Sequence, residues 1–212
     1  MTIRTPGQLD RFLSRSLSWR KKELTALKFA VDTAPQAEQE VLLRAAATLL
    51  YSHWEGFVKE AATAYLQLVS KQNLTLSELK STFVAVSVGT AMVNCGRSKK
   101  ISARRQLVDR IRAAPSVAAN MAWRGVARTR SNLKAAVLRE IINTLDLDYA
   151  PFELKAKPVI DRLVGARNQI AHGGGVRVQS GEYGVLHVEV IGLLEELKTQ
   201  VQTAASAKKY KI

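Results

Sequence analysis

The chain predicts an all-α fold, a helical bundle with long antiparallel helices and a basic, partly irregular middle segment. Three observations carry this. Apolar residues recur at the 3.6-residue period over most of the sequence, capping residues and breakers fall where those stripes end, and strand-like alternation is confined to one short stretch. A chain of 212 residues, 47% hydrophobic and 24% charged, suits one globular domain over residues 1–212.

The elements follow in order. Thr5-Pro6 reads as an N-cap with proline in the first turn, opening a helix through Leu9, Leu13, Leu17, Leu24 and Val31. Pro35 opens a second, unusually long helix through Leu42, Leu50, Trp54, Phe57, Ala61, Tyr65 and Val69. Thr75-Leu-Ser-Glu78 has capping-box spacing and opens a third helix towards Val86. Residues 89–100 show no clear period and read as loop, and Ser102 to Ala114 fits a short helix. Pro115 to Arg130 reads as irregular basic surface, so that residues 89–130 form a basic insertion in the bundle. Ser131 can cap a helix through Leu138, Ile141 and Leu145, and Pro158 sits in the opening turn of another that runs to His172. Gly173-Gly-Gly175 stops that helix, because glycine accepts left-handed backbone geometry. A last helix fits Val185 to Ala207, with a minor hairpin possible around Ser180-Gly181.

Charge narrows the partners. The chain carries +14 at neutral pH, and between Arg97 and Arg139 twelve basic residues face one acid, Asp109. Such a field draws in phosphate backbones, with RNA the expected partner; Arg104, Arg105, Arg124, Arg128 and Arg130 are candidate RNA contacts. A solvated surface or a membrane-surface patch would also account for it. No apolar run reaches the roughly 20 residues of a membrane span, and the N-terminus has no secretory core. The expectation is a cytoplasmic protein without a membrane. A lone Cys95 excludes an internal disulfide and a cysteine zinc site, and His53, His172 and His187 lack metal-ligand spacing, so neither metal nor cofactor is expected.

The singular segment is Arg167-Asn-Gln-Ile-Ala-His172. On a helix Asn168 and His172 share a face, while Arg167 falls in the middle of the apolar arc of Val159, Ile160, Leu163, Val164 and Ile170. A guanidinium there must snorkel out, pair with a carboxylate, or face something polar. Glu55 is a candidate partner for Arg167 or His172; equally it could bond Lys59 one turn on. Trp54 reads as core, and Trp123 as a partly buried tryptophan. His172 at a helix end is also favoured by the helix dipole alone.

Arg-Asn-x-x-x-His at the end of a late helix resembles the Arg-x4-His signature of the HEPN superfamily (higher eukaryotes and prokaryotes nucleotide-binding). Leu49-Leu-Tyr-Ser-His-Trp-Glu-Gly-Phe-Val-Lys59 and the Ile170-Ala-His-Gly173 ending resemble the MAE_28990/MAE_18760-like HEPN nucleases, from about Ala37 to Tyr210. The resemblance implies a dimer that cleaves RNA without a metal, in a composite site with Arg167, Asn168 and His172 as its catalytic residues, and a toxin or anti-phage defence role. The alternative is a silent module that binds RNA or a nucleotide, or pairs with an antitoxin-like regulatory partner.

Overall fold

The computed structural model describes every residue except Met1, Lys99, Ser116, Arg130 and Ser131. Helix α1 (Pro6–Thr33) and helix α2 (Gln36–Ser70) are joined by Ala34 and Pro35. Thr5 caps α1 with a full capping box, its side chain taking the Gln8 amide while Gln8 reaches back. Cross-links at Ile3–Gln67, Arg20–Glu60, Glu23–His53 and Val31–Gln39 step in opposite senses along the two helices, which fixes them antiparallel. Helix α8 (Ser180–Ser206) packs on both; Lys21 meets Glu195 and Asp10 meets Gln202, so it runs antiparallel to α1.

Between α2 and α8 the chain forms helix α3 (Ser81–Arg97), helix α4 (Ile101–Arg112), an irregular stretch, helix α5 (Ala135–Thr144), helix α6 (Ala150–Lys155) and helix α7 (Arg162–Ala171). The apolar core is one cluster reaching from Ile3 to Tyr210, with Trp54, Tyr51, Tyr65 and Phe57 among its largest members. Among the described residues the only β pairing is two isolated bridges, Thr75 with Ala118 and Leu79 with Lys211. No described helix is long and apolar enough to cross a membrane.

One buried cation explains a glycine. Arg20 is 3% exposed; it donates to the Ser16 carbonyl at 3.0 Å, to Ser16 Oγ at 2.6 Å and to Glu60 at 3.0 Å, and lies 4.4 Å over the Trp19 ring. A Cβ at position 56 would come within 3.2 Å of its guanidinium, so Gly56 makes the room.

Several boundaries differ from the sequence reading. The Thr75–Glu78 capping box exists, but it closes a single 3-10 turn; the chain breaks at Leu79-Lys80, where the Lys80 amide bonds the Tyr210 carbonyl, and α3 starts at Ser81. Helix α3 then runs on to Arg97 through the stretch expected to be loop. An interior glycine such as Gly89 costs a helix only about 1 kcal/mol, and the neighbouring Ala91, Met92 and Val93 tolerate it. The irregular part of the basic segment is therefore shorter than expected. The start of α5 is held by Asp161, whose carboxylate accepts the Ala135 amide at 2.8 Å; the expected cap, Ser131, lies outside the described residues. The residues around Ser180-Gly181 begin α8 and form no hairpin.

Pro158 does not open a helix. It sits inside a continuous one, in a π-helical segment Ala156–Asp161 that joins α6 to α7. A proline has no amide to give and its ring collides with the carbonyl four residues back. Widening the turn relieves the ring clash and lets the helix continue past a residue that donates no amide.

Candidate functional site

The site is built where α7 crosses α2. Helix α7 ends in a Schellman motif: the Gly173 amide bonds the Ile170 carbonyl at 3.1 Å and the Gly174 amide bonds the Gln169 carbonyl at 2.8 Å. Gly173 has φ +78, and a Cβ on Gly174 would lie 2.8 Å from the Gln169 carbonyl oxygen, so both positions require glycine. His172 is thereby the C-cap residue, its side chain exposed and its amide bonded to the Asn168 carbonyl at 3.1 Å. Arg44 on α2 clamps the turn by donating to the Gly174 carbonyl at 3.0 Å.

Arg167 is half-buried, as its place in the apolar arc implies. Its guanidinium lies 4.5 Å over the ring of Tyr51, and Nη1 donates to Asn168 Oδ1 at 2.7 Å. An aromatic face is attractive to a cation and still leaves the fork of donors addressable from its edge. The geometry is thus a guanidinium on a platform, fixed by its neighbour in sequence. Asn168 Nδ2 continues the chain of contacts to Asn132 Oδ1 at 3.4 Å.

Tyr51 is itself held on both sides. Its hydroxyl accepts the Leu133 amide at 2.9 Å and bonds the Glu55 carboxylate. Burial, helped by Glu55 and opposed by the Leu133 amide and Arg167, pushes its pKa up to about 12. The phenol therefore stays neutral. Glu55, 7% exposed, bonds Lys59 at 2.8 Å and also takes the Thr129 hydroxyl. Burial pushes the Glu55 pKa up, but the hydrogen bonds from Lys59, Thr129 and Tyr51 outweigh it and hold the group below the ordinary carboxylate value. So the bond to Lys59 weighed from sequence is present, and Glu55 is joined to Arg167 through Tyr51.

These contacts show what the basic middle does at its C-terminal end. Thr129, Asn132, Leu133 and Ala135 are tied in turn to Glu55, Asn168, Tyr51 and Asp161, which lays the segment beside the Arg167 helix. Arg128 bonds the Gly125 carbonyl at 2.8 Å and borders a cavity with Asn132. Arg124 stacks 4.8 Å over a half-buried Trp123. Arg104 and Arg105 stand exposed on α4, with Arg105 reaching Asp109 at 3.5 Å. Arg130 lies outside the described residues. Trp54 is fully buried in the core. Among the described residues no group of three His, Cys, Asp or Glu side chains is arranged to hold a metal ion.

Sequence reasoning missed Tyr51, Asn132 and Arg44. Tyr51 left a signal: Tyr51, Glu55 and Lys59 recur at i, i+4 and i+8 and so share one seam along the helix. Asn132 and Arg44 left none, because each acts through a contact distant in sequence.

An all-α module carrying an arginine–asparagine pair and a histidine at one glycine-capped helix end defines the class. Within it, the model of the MAE_28990-like HEPN family matches residues 10–210, and the chain belongs to that family. No curated protein and no solved structure matches it.

Proposed function

We propose that the chain is an endoribonuclease that needs no metal and works as a homodimer, with Arg167, Asn168 and His172 of each subunit facing one shared cleft. The observation that carries this reading is Arg167 held over Tyr51 and bonded to Asn168, one helical turn from an exposed His172.

The RNA supplies its own nucleophile. A base removes the 2′-OH proton as that oxygen attacks phosphorus; the bond to the 5′-oxygen breaks and that oxygen takes up a proton. The products are a 2′,3′-cyclic phosphate and a 5′-hydroxyl. Imidazole titrates near neutrality and can serve as the base or the acid, with the partner subunit's equivalent histidine taking the other part. Arg167 meets the charge growing on the phosphoryl oxygens. Asn168 keeps the guanidinium oriented. The wider role is that of a toxin or defence effector, by family analogy.

The test is incubation of purified protein with pooled RNA in EDTA. Products ending in 2′,3′-cyclic phosphate, lost in Arg167→Ala and His172→Ala, are expected. Cleavage retained by either variant would end the assignment, and binding without products would leave an inactive RNA-binding module.

A further inference from the structure

A cavity of about 540 Å³ lies beside the motif and is used by none of the chemistry above. Its size falls within the range of small-ligand sites. Ala136, Val137 and Glu140 line it from one face of α5, and Arg128, Asn132 and Lys134 complete it. Asn132 joins the two places: it forms part of the cavity wall and accepts the hydrogen bond from Asn168.

We propose that this cavity is a nucleobase subsite that selects guanine in the nucleotide next to the cleaved phosphate. The inference rests on the endoribonuclease reading for the position of that phosphate. Ala136 and Val137 offer apolar surface to a flat ring. Glu140 sets the chemistry. Among the described residues its carboxylate makes no hydrogen bond or ion pair, so it is available to a ligand. A carboxylate only accepts hydrogen bonds, and it repels a phosphate. Guanine presents two adjacent donors, N1–H and the N2 amine, matched to two carboxylate oxygens. Adenine and cytosine each set a ring acceptor beside a single amine, and uracil flanks its one N–H with carbonyls; all three bring an acceptor against the carboxylate. Guanine O6 then needs a donor, which Asn132 Nδ2 or the Lys134 ammonium supplies. Arg128 and Lys134 offset the carboxylate towards the incoming backbone.

Sequencing the ends of products from a random RNA pool tests this. The wild type should enrich guanine at one position flanking the cut. Glu140→Gln, which turns one acceptor oxygen into a donor, should lower that preference about tenfold while cleavage continues. Val137→Trp, which fills the cavity, should lower it similarly. Cleavage with no guanine preference, or with a preference untouched by Glu140→Gln, overturns the subsite and leaves the nuclease reading intact. If the wild type cuts no RNA, the nuclease reading fails and the subsite is judged by fluorescence anisotropy with ten-nucleotide oligouridylate carrying one central guanosine or none. Guanosine-dependent binding lost in Glu140→Gln then sustains it, and equal binding of the two oligonucleotides overturns it.

Discussion

Helices α2 and α4 are opposites. Helix α2 buries 18 of its 35 residues and carries Tyr51 and Glu55 into the contact with α7; α4 buries none of its twelve and rests on α3. Helix α4 is mostly polar, and even its Ile101, Val108 and Ile111 stay exposed, while the apolar face of α2 forms the centre of the core. Charge density and chemical order therefore separate in this molecule. The strongly basic α4 buries none of its residues, and the fixed geometry gathers where charges are paired or seated on α2.

The sharpest way to break that contrast is to move the function to the wrong side of it. Arg167→Ala or His172→Ala should lower RNA cleavage by about 100-fold or more each, by analogy with lost general acid–base and charge-stabilising groups. Circular dichroism should stay unchanged, because neither side chain is fully buried. Cleavage that persists in these variants but vanishes on α4 substitution would invert the comparison.

Next in size is the packing difference. Phe57→Ala on α2 should cost about 3–5 kcal/mol in urea unfolding, whereas Ile111→Ala on α4 should stay within about 0.5 kcal/mol, as surface changes do. Equal losses would mean that α4 is part of the core in solution.

Tyr51 sharpens the comparison within α2. Tyr51→Phe keeps the ring beneath Arg167 and leaves the Leu133 amide without its acceptor, so it should lose about 1–3 kcal/mol of stability and retain most cleavage. Tyr51→Leu removes the platform and should lower cleavage about tenfold. A ring-independent rate would show that the aromatic platform is not what positions the guanidinium.

A smaller effect is expected on α4. Replacing Arg104 and Arg105 together by alanine should weaken RNA binding similarly for all sequences and reduce the salt slope of log K by about 1–2. Stability should not move.

The smallest effect concerns pH. Burial, with Lys28 nearby, holds the His187 pKa below the ordinary imidazole value, against the Leu24 backbone bond and Asp32. The unfolded chain therefore takes up a proton before the folded one. Its contribution to stability is complete above the unfolded value of about 6.5 and falls away as the pH drops towards the folded value. His187→Gln should flatten that part of the stability profile between pH 7 and 5.

How much of this was legible in the sequence follows the same divide. The α1, α2 and α8 stripes were readable because helices that bury one face must repeat apolar residues at their own period. The helix stop at Gly173 was readable because its backbone demands glycine. The continuation of α3 past Gly89 was not, since a single weak helix former does not decide a helix whose neighbours favour it. The site was half legible. Arg167, Asn168 and His172 stand together in sequence, Asn168 and His172 could be set on one helix face, and the guanidinium announced itself as a cation among apolar residues. Its platform is 116 residues away in the chain, and no local pattern links Tyr51 to Arg167. Asn132 is hidden likewise, within a segment whose dominant signal is charge.

The widened turn at Pro158 has a further consequence. Each residue of an α-helix advances the azimuth by about 100°, and a π segment accommodates about one more residue than a regular helix would over the same rise. Everything downstream is thus rotated by about that angle relative to an uninterrupted rod beginning at Ala150. Trimming one residue from 156–161 would re-phase α7 as a screw thread is re-phased, swinging the guanidinium off its aromatic seat while leaving the composition of the motif untouched.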